Sequence, residues 1–265
     1  MEWVFTFTSQ YPWPSVVVMA WVHWNEKSWI LALQRILDEW ISLLYWKLTI
    51  IFANLYAIEQ NRRFVDLNMN RCFWRELSNS KEEVRVQELL PCLQQADILL
   101  DLHNTVGDSA SPFLITNSYW YNTIFQVDYV LQWIDHVQVW WSDWYMESIW
   151  KVGLCLECGS VVDDISLTTD YAYDMVINFL QYVNIIQWSH KTFRAPKSVK
   201  ARMMYTLQWQ KFELYKSFYE FEHCYNGQII WYDDWLAILA PYDWYIIFAR
   251  NRDERWSECF VYCSE

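Results

Sequence analysis

Two histidines and two glutamates stand where apolar runs stop. Residues 14–26, PSVVVMAWVHWNE, are a β-branched and apolar run that delivers His23 and Glu26, three positions apart. Residues 96–102, ADILLDL, lead into His103, about 77 residues beyond Glu26, and residues 151–157, KVGLCLE, end on Glu157. Two imidazoles and one carboxylate form a three-ligand catalytic zinc set, which leaves a fourth position for water. Glu157 could act as general base towards that water and then as acid towards the leaving group. HxxE alone is a short motif that also arises in solvated loops. Its weight here comes from its place after a strand, and from a second strand ending in Asp-Leu-His, where Asp101 can orient a ligand or its loop.

Short continuous apolar runs read as buried strands, and Lys27 to Leu44 follows the first of them with Ile30, Leu31, Leu33, Ile36, Leu37 and Ile41 at helical spacing. His23 and Glu26 therefore sit in a strand-to-helix loop, where open α/β sheets bind ligands. A strand over Lys47 to Asn54 and a polar loop over Glu59 to Arg71 come next. A helix from about Lys81 to Gln95 is expected, capped by Ser78 or Ser80, with Glu82 and Glu83 in its first turn to favour the dipole. Ala96 to Leu102, Phe113 to Thr116 and Lys151 to Glu157 read as strands, separated by a loop around Gly107 and an aromatic-rich stretch, Asn117 to Trp150, without assignment. Thr169 to Val183 reads as a helix with Thr169 or Asp170 at its N-cap. This alternation predicts an α/β fold, a carboxypeptidase-like sheet sandwiched by helices over residues 1–194. After a linker at Lys191 to Lys200, short runs at Gln228 to Tyr232, Leu236 to Leu239 and Tyr245 to Phe248 predict a small all-β domain over 195–265.

The chain of 265 residues carries a formal charge of −12, which argues against nucleic acid as a partner. Small anionic substrates fit if arginines cluster locally. The start, MEWVFTF, lacks the features of a signal peptide. The most apolar window, Trp40 to Ala57, reads as a helix end followed by a buried strand rather than a membrane span. Seven cysteines, an odd number, point to reduced thiols and a cytoplasmic protein, with Cys155 and Cys158 as buried inert thiols. His136, His190 and His223 have no partner at ligand spacing.

The composition departs from the ordinary in one respect, 20 Trp against 4 Gly. Trp235 after Asp233-Asp234 and Trp244 after Tyr242-Asp243 occupy turn contexts that suit glycine, Trp13 sits between two prolines, and Trp21, Trp24 and Trp29 crowd the His23 loop. Either these turns avoid positive φ or the sequence has been altered or designed.

VHWNE resembles the HGNE zinc motif of the succinylglutamate desuccinylase/aspartoacylase family. Residues 61–73, NRRFVDLNMNRCF, are similar to that family's arginine segment, and DLHNT (101–105) to its third-ligand motif. LECG (156–159) resembles the strand carrying its catalytic glutamate, and APYDWYIIF (240–248) its C-terminal β-domain. The resemblance runs through nearly the whole chain in order. It implies one zinc ion per chain on His23, Glu26 and His103, with Glu157 as base. It also implies Arg63 polarising the scissile carbonyl, and Asn70 with Arg71 gripping a substrate carboxylate, a task that suits the guanidinium fork. Arg62 is expected on the surface.

Departures accompany the matches. Trp24 replaces a glycine inside the zinc motif, Trp21 a small residue before it, and Asn68 an acidic position in the arginine segment. The expected function is zinc-dependent cleavage of the amide of a small anionic N-acyl amino acid; the acyl group and oligomeric state are open. A second reading is an engineered or designed variant that keeps the fold, and metal binding, without turnover. A third, a zinc carboxypeptidase acting on peptides, gains nothing from the NMNR segment.

Overall fold

The computed structural model describes residues 2–11, 14–39, 43, 45–74, 79–106, 111–187, 189–208 and 212–265. Trp13, Leu44, Ser78 and Gly107 lie outside them. The elements in chain order are β1 (Val4–Thr8), β2 (Ser15–Ala20), α1 (Lys27–Asp38), β3 (Lys47–Phe52), α2 (Leu55–Glu59), α3 (Lys81–Gln95) and β4 (Ile98–Thr105). Then come β5 (Phe113–Ile115), β6 (Tyr129–Gln132), α4 (Ser142–Ser148), β7 (Val152–Ser160) and α5 (Ile165–Tyr182). The C-terminal region holds β8 (Lys197–Thr206), β9 (Phe212–Leu214), β10 (Glu222–Cys224), β11 (Ile229–Asp233), β12 (Leu236–Leu239), β13 (Trp244–Ile247) and β14 (Glu258–Ser264).

One sheet of eleven strands runs in the order β1-β3-β2-β4-β7-β5-β6-β8-β14-β13-β10, and β12-β11-β9 form a second. The strands β3, β2, β4 and β7 at its centre are mutually parallel. Parallel strands are covered on both faces, which is why β2 reads as an unbroken apolar run. Val16, Val18 and Ala20 pack towards α1 and α5, whereas Val17 and Met19 pack with Val86, Leu89 and Leu93 of α3 and Met146 of α4. Gly153 of β7 permits the close approach of α4, because a Cβ there would lie 2.2 Å from the Asp143 carbonyl oxygen.

Local chemistry set several boundaries as expected and moved others. Ser80 caps α3 in a full capping box with Glu83. The helix expected from Thr169 begins earlier, at Ile165, because the Asp164 carboxylate accepts from the backbone N–H groups of Ser166 (2.8 Å) and Leu167 (3.2 Å). α1 ends at Asp38 rather than at Leu44. β4 runs past Leu102 to Thr105, since its pairing with β7 continues to Thr105 opposite Ser160, so His103 lies within the strand. The unassigned middle contributes β6 and α4. β6 pairs in parallel with β8, so the sheet runs on beyond residue 195 into an antiparallel C-terminal region.

Among the described residues, eight tryptophans adopt left-handed backbone: Trp3, Trp21, Trp46, Trp74, Trp133, Trp140, Trp150 and Trp256, with φ between 55° and 76°. This conformation suits glycine and strains a bulky residue. Of the expected positions Trp21 is among them, at 68°, whereas Trp24, Trp235 and Trp244 are not; at the β11–β12 turn Asp234 takes the positive φ, 60°. No described helix is long and apolar enough to cross a membrane.

Candidate active site

The loop after β2 and the C-terminal halves of β4 and β7 meet at one edge of the parallel sheet. Trp21 leaves β2 in left-handed conformation and its indole N–H donates to the Trp24 carbonyl at 3.3 Å, turning the chain so that His23 and Glu26 point inward. His23, Glu26 and His103 are all buried, and one donor atom from each lies within 4.8 Å of the others. His23 Nδ1 is 2.7 Å from Glu26 Oε1, and His103 Nδ1 is 3.1 Å from Glu26 Oε2. The outer nitrogens are held from behind. His103 Nε2–H donates to Asp101 Oδ2 at 3.0 Å, and Asp101 also accepts from the Ser142 hydroxyl. His23 Nε2 is 2.9 Å from the Asn68 side-chain oxygen, so a neutral amide fills the position where the resemblance expects an acid.

The electrostatics follow from this packing. Burial, reinforced by Arg63, lowers His23 to about 4 and keeps it neutral. Burial works against charge on Glu26, yet His23 and His103 hold its carboxyl well below the usual range. Burial also works against charge on His103, but Asp101 and Glu26 outweigh it and raise the imidazole well above its ordinary value.

A divalent metal fits this set. Glu26 is buried, both Nδ1 atoms face its carboxylate, and the outer nitrogens have the partners that ligating histidines use. Imidazole and carboxylate together suit zinc.

Glu157 pairs in register with His103 across β4 and β7. Burial pushes its carboxyl up to about 8, against the pull of His103. Its Oε2 is buried without a hydrogen-bond partner. Arg63 donates to Asn25 Oδ1 at 3.1 Å and to Glu26 Oε1 at 3.4 Å. The Asn70 amide nitrogen lies 3.2 Å from His103 Nε2. Arg71 donates through Nη1 to the Asn70 carbonyl at 2.8 Å and through Nε to Glu258 Oε1 at 2.9 Å, and its Nη2 also pairs with Glu258.

All seven expected site residues line one cavity of about 410 Å³. Phe64, Trp141, Phe248 and Phe260 supply aromatic wall, and Arg250, Arg252 and Glu258 reach in from the C-terminal region. Those last three were missed from sequence. No local charge pattern marks them: NRDER at 251–255, preceded by Arg250, carries as many acids as bases. His136, His190 and His223 stand apart, packed on Trp133, Tyr182 and Tyr245 respectively, and Arg62 is exposed. Cys155 and Cys158 are buried free thiols whose ionisation burial suppresses.

A mixed sheet covered by helices carries a buried His-Glu-His set, a candidate metal centre, in a cavity at the strand ends. The succinylglutamate desuccinylase/aspartoacylase catalytic domain model matches residues 12–183, and the chain belongs to that family. It is 22% identical over 191 residues to a probable aspartoacylase of Acaryochloris marina, a match covering 64% of each chain. It is 30% identical over 163 residues to an N-acyl-aromatic-L-amino acid amidohydrolase (carboxylate-forming) of Danio rerio, covering 51% of this chain and 52% of the relative. These matches thus span about half to two-thirds of the relatives' length. The fold is similar to that of a succinylglutamate desuccinylase from Vibrio cholerae, with a TM-score of 0.79 at 16% identity, covering 99% of this chain and 85% of the other.

Proposed function

We propose that this chain is a zinc-dependent amidohydrolase that cleaves the amide of a small anionic N-acyl amino acid. The observation that carries the reading is the buried His23–Glu26–His103 set with the Glu157 carboxyl in register beside His103. Zinc held there would activate water for attack and polarise the scissile carbonyl.

The protein's own groups complete the chemistry. Glu157, kept basic by burial, takes the proton of the attacking water and returns it to the leaving amine. Arg63, at the edge of the ligand set, donates to the carbonyl oxygen as negative charge develops on it. Asn70 and Arg71 hold the amino-acid carboxylate, and the aromatic wall excludes water from the rest of the substrate. From the C-terminal region, Met204, Phe248, Arg250, Arg252 and Glu258 line the cavity. We read the enzyme as cytoplasmic, in keeping with its odd number of cysteines.

The test is a panel of N-acetyl amino acids incubated with zinc-loaded protein. Hydrolysis that a chelator abolishes and added zinc restores supports the reading; chelator-resistant hydrolysis, or none on any substrate, contradicts it. The second reading, an altered chain that keeps the fold and metal without turnover, draws on the eight left-handed tryptophans, above all Trp21 at the entrance to the zinc loop.

A further inference from the structure

Glu258, at the start of β14, occupies the edge of Arg71 that a substrate carboxylate would need. Its two oxygens take Nε–H and Nη2–H of the guanidinium in the side-by-side geometry by which arginine recognises carboxylates. The remaining amino group, Nη1, is committed to the Asn70 carbonyl, and the guanidinium face stacks over Trp141, with its centre 5.2 Å from the ring. Arg71 is therefore already holding a carboxylate, the protein's own.

The neighbouring cations are differently placed. Arg250 and Arg252, on the segment between β13 and β14, line the same cavity, and neither has a carboxylate at ion-pair distance among the described residues. Arg252 donates through Nε to the Glu258 backbone carbonyl at 2.7 Å, so its guanidinium lies beside the residue that holds Arg71. Arg250 donates through Nε only to the Phe248 carbonyl, at 3.4 Å. Burial, with Arg252 and Arg63 nearby, lowers Arg250 to about 10. A carboxylate released from Arg71 has cations ready to receive it.

We propose that Glu258 is a specificity-determining residue that competes with the substrate carboxylate for Arg71, and that Arg252 receives it when the substrate binds. This rests on the amidohydrolase reading of the cavity. Binding becomes an exchange of one carboxylate for another on Arg71, so only a ligand that presents a carboxylate at that depth can complete it. Neutral ligands leave the Arg71–Glu258 pair in place.

The test compares zinc-loaded wild type with Glu258→Gln and Glu258→Ala on N-acetyl-L-phenylalanine and on its neutral C-terminal amide. The variants lose the competitor, so KM for the carboxylate substrate should fall about fivefold, the scale of one partly exposed ion pair, without a matching fall in the KM of the amide. A raised KM in both variants would show that Glu258 positions Arg71 rather than blocks it, and would overturn the proposal. An equal change on the neutral amide would do the same. Arg252→Gln should raise KM in the wild-type background and have no effect in Glu258→Gln; an effect that persists there would remove Arg252 as receiver. Titration calorimetry with N-acetyl-L-phenylalanine separates the two claims. If Glu258→Gln gains affinity while no variant turns over any N-acyl amino acid, the gate stands and the amidohydrolase reading fails.

Discussion

His103 and Glu157 are register partners across the parallel pair β4 and β7, so their side chains leave the sheet on the same face, at the spacing of adjacent strands, about 4.8 Å. The pairing shifts register just beyond them, between His103 and Thr105, and resumes with Thr105 opposite Ser160. A ligand candidate and a candidate base are thereby positioned by backbone hydrogen bonds rather than by a loop.

Glu157→Gln keeps the size of the side chain and removes its basicity. We expect kcat to fall about 10²- to 10⁴-fold with zinc content unchanged, read by steady-state kinetics beside metal analysis. A rate within a few-fold of wild type would remove Glu157 from the mechanism.

Trp150 ends α4 in the position where glycine is usual. Its N–H donates to the Glu147 carbonyl and that of Lys151 to the Met146 carbonyl, the paired bonds of a Schellman cap, and the capping residue is left-handed at φ 64°. At 97% exposure its indole packs on almost nothing. Trp150→Gly should therefore stabilise the protein by about 1 kcal/mol, the left-handed penalty less the added entropy of the unfolded chain. Thermal melting would show a Tm rise of about 2–4 °C, and an unchanged or lower Tm would mean that the left-handed strain is absent. Trp21 differs, because its ring packs edge-on against Trp3 and Phe52, so the same replacement there also loses contacts.

Asp143 is buried in the first turn of α4, and burial, followed by the charges of Glu147 and Asp101, pushes its carboxyl up to about 8. A folded-state value above the unfolded one means that the protonated form is favoured by folding. The contribution is full below the unfolded value, about 3.9, and is lost as pH rises through about 8. Asp143→Asn cannot ionise, so denaturant unfolding should show a smaller loss of stability between acid and alkaline pH than in wild type. Parallel stability profiles for the two proteins would contradict this.

Much of the site was legible because its positioning elements are local. The runs before His23 and His103 and around Glu157 are apolar on both faces, which only buried parallel strands require, and the Ser80–Glu83 capping box announces α3 within four residues. The Asp164 cap is an equally local signal, since its carboxylate binds N–H groups two and three residues on. Arg250, Arg252 and Glu258 were not legible as cavity residues. Their place depends on β14 pairing with β8, which extends the same sheet from a distant part of the chain, and no local pattern encodes that. Glycine-like turns were legible from the Trp excess as a class but not position by position: Trp21 was found, Trp235 was not left-handed, and Trp133, Trp140 and Trp150 lay in the unassigned middle.

We propose that His23, Glu26 and His103 hold one zinc ion. Elemental mass spectrometry of the purified protein, before and after chelation and zinc reconstitution, tests it most directly. One zinc per chain is expected, removable by chelator, restored on reconstitution and lost in His103→Ala. A folded protein that takes up no zinc, or a His103→Ala variant that retains it, would contradict the assignment of the site.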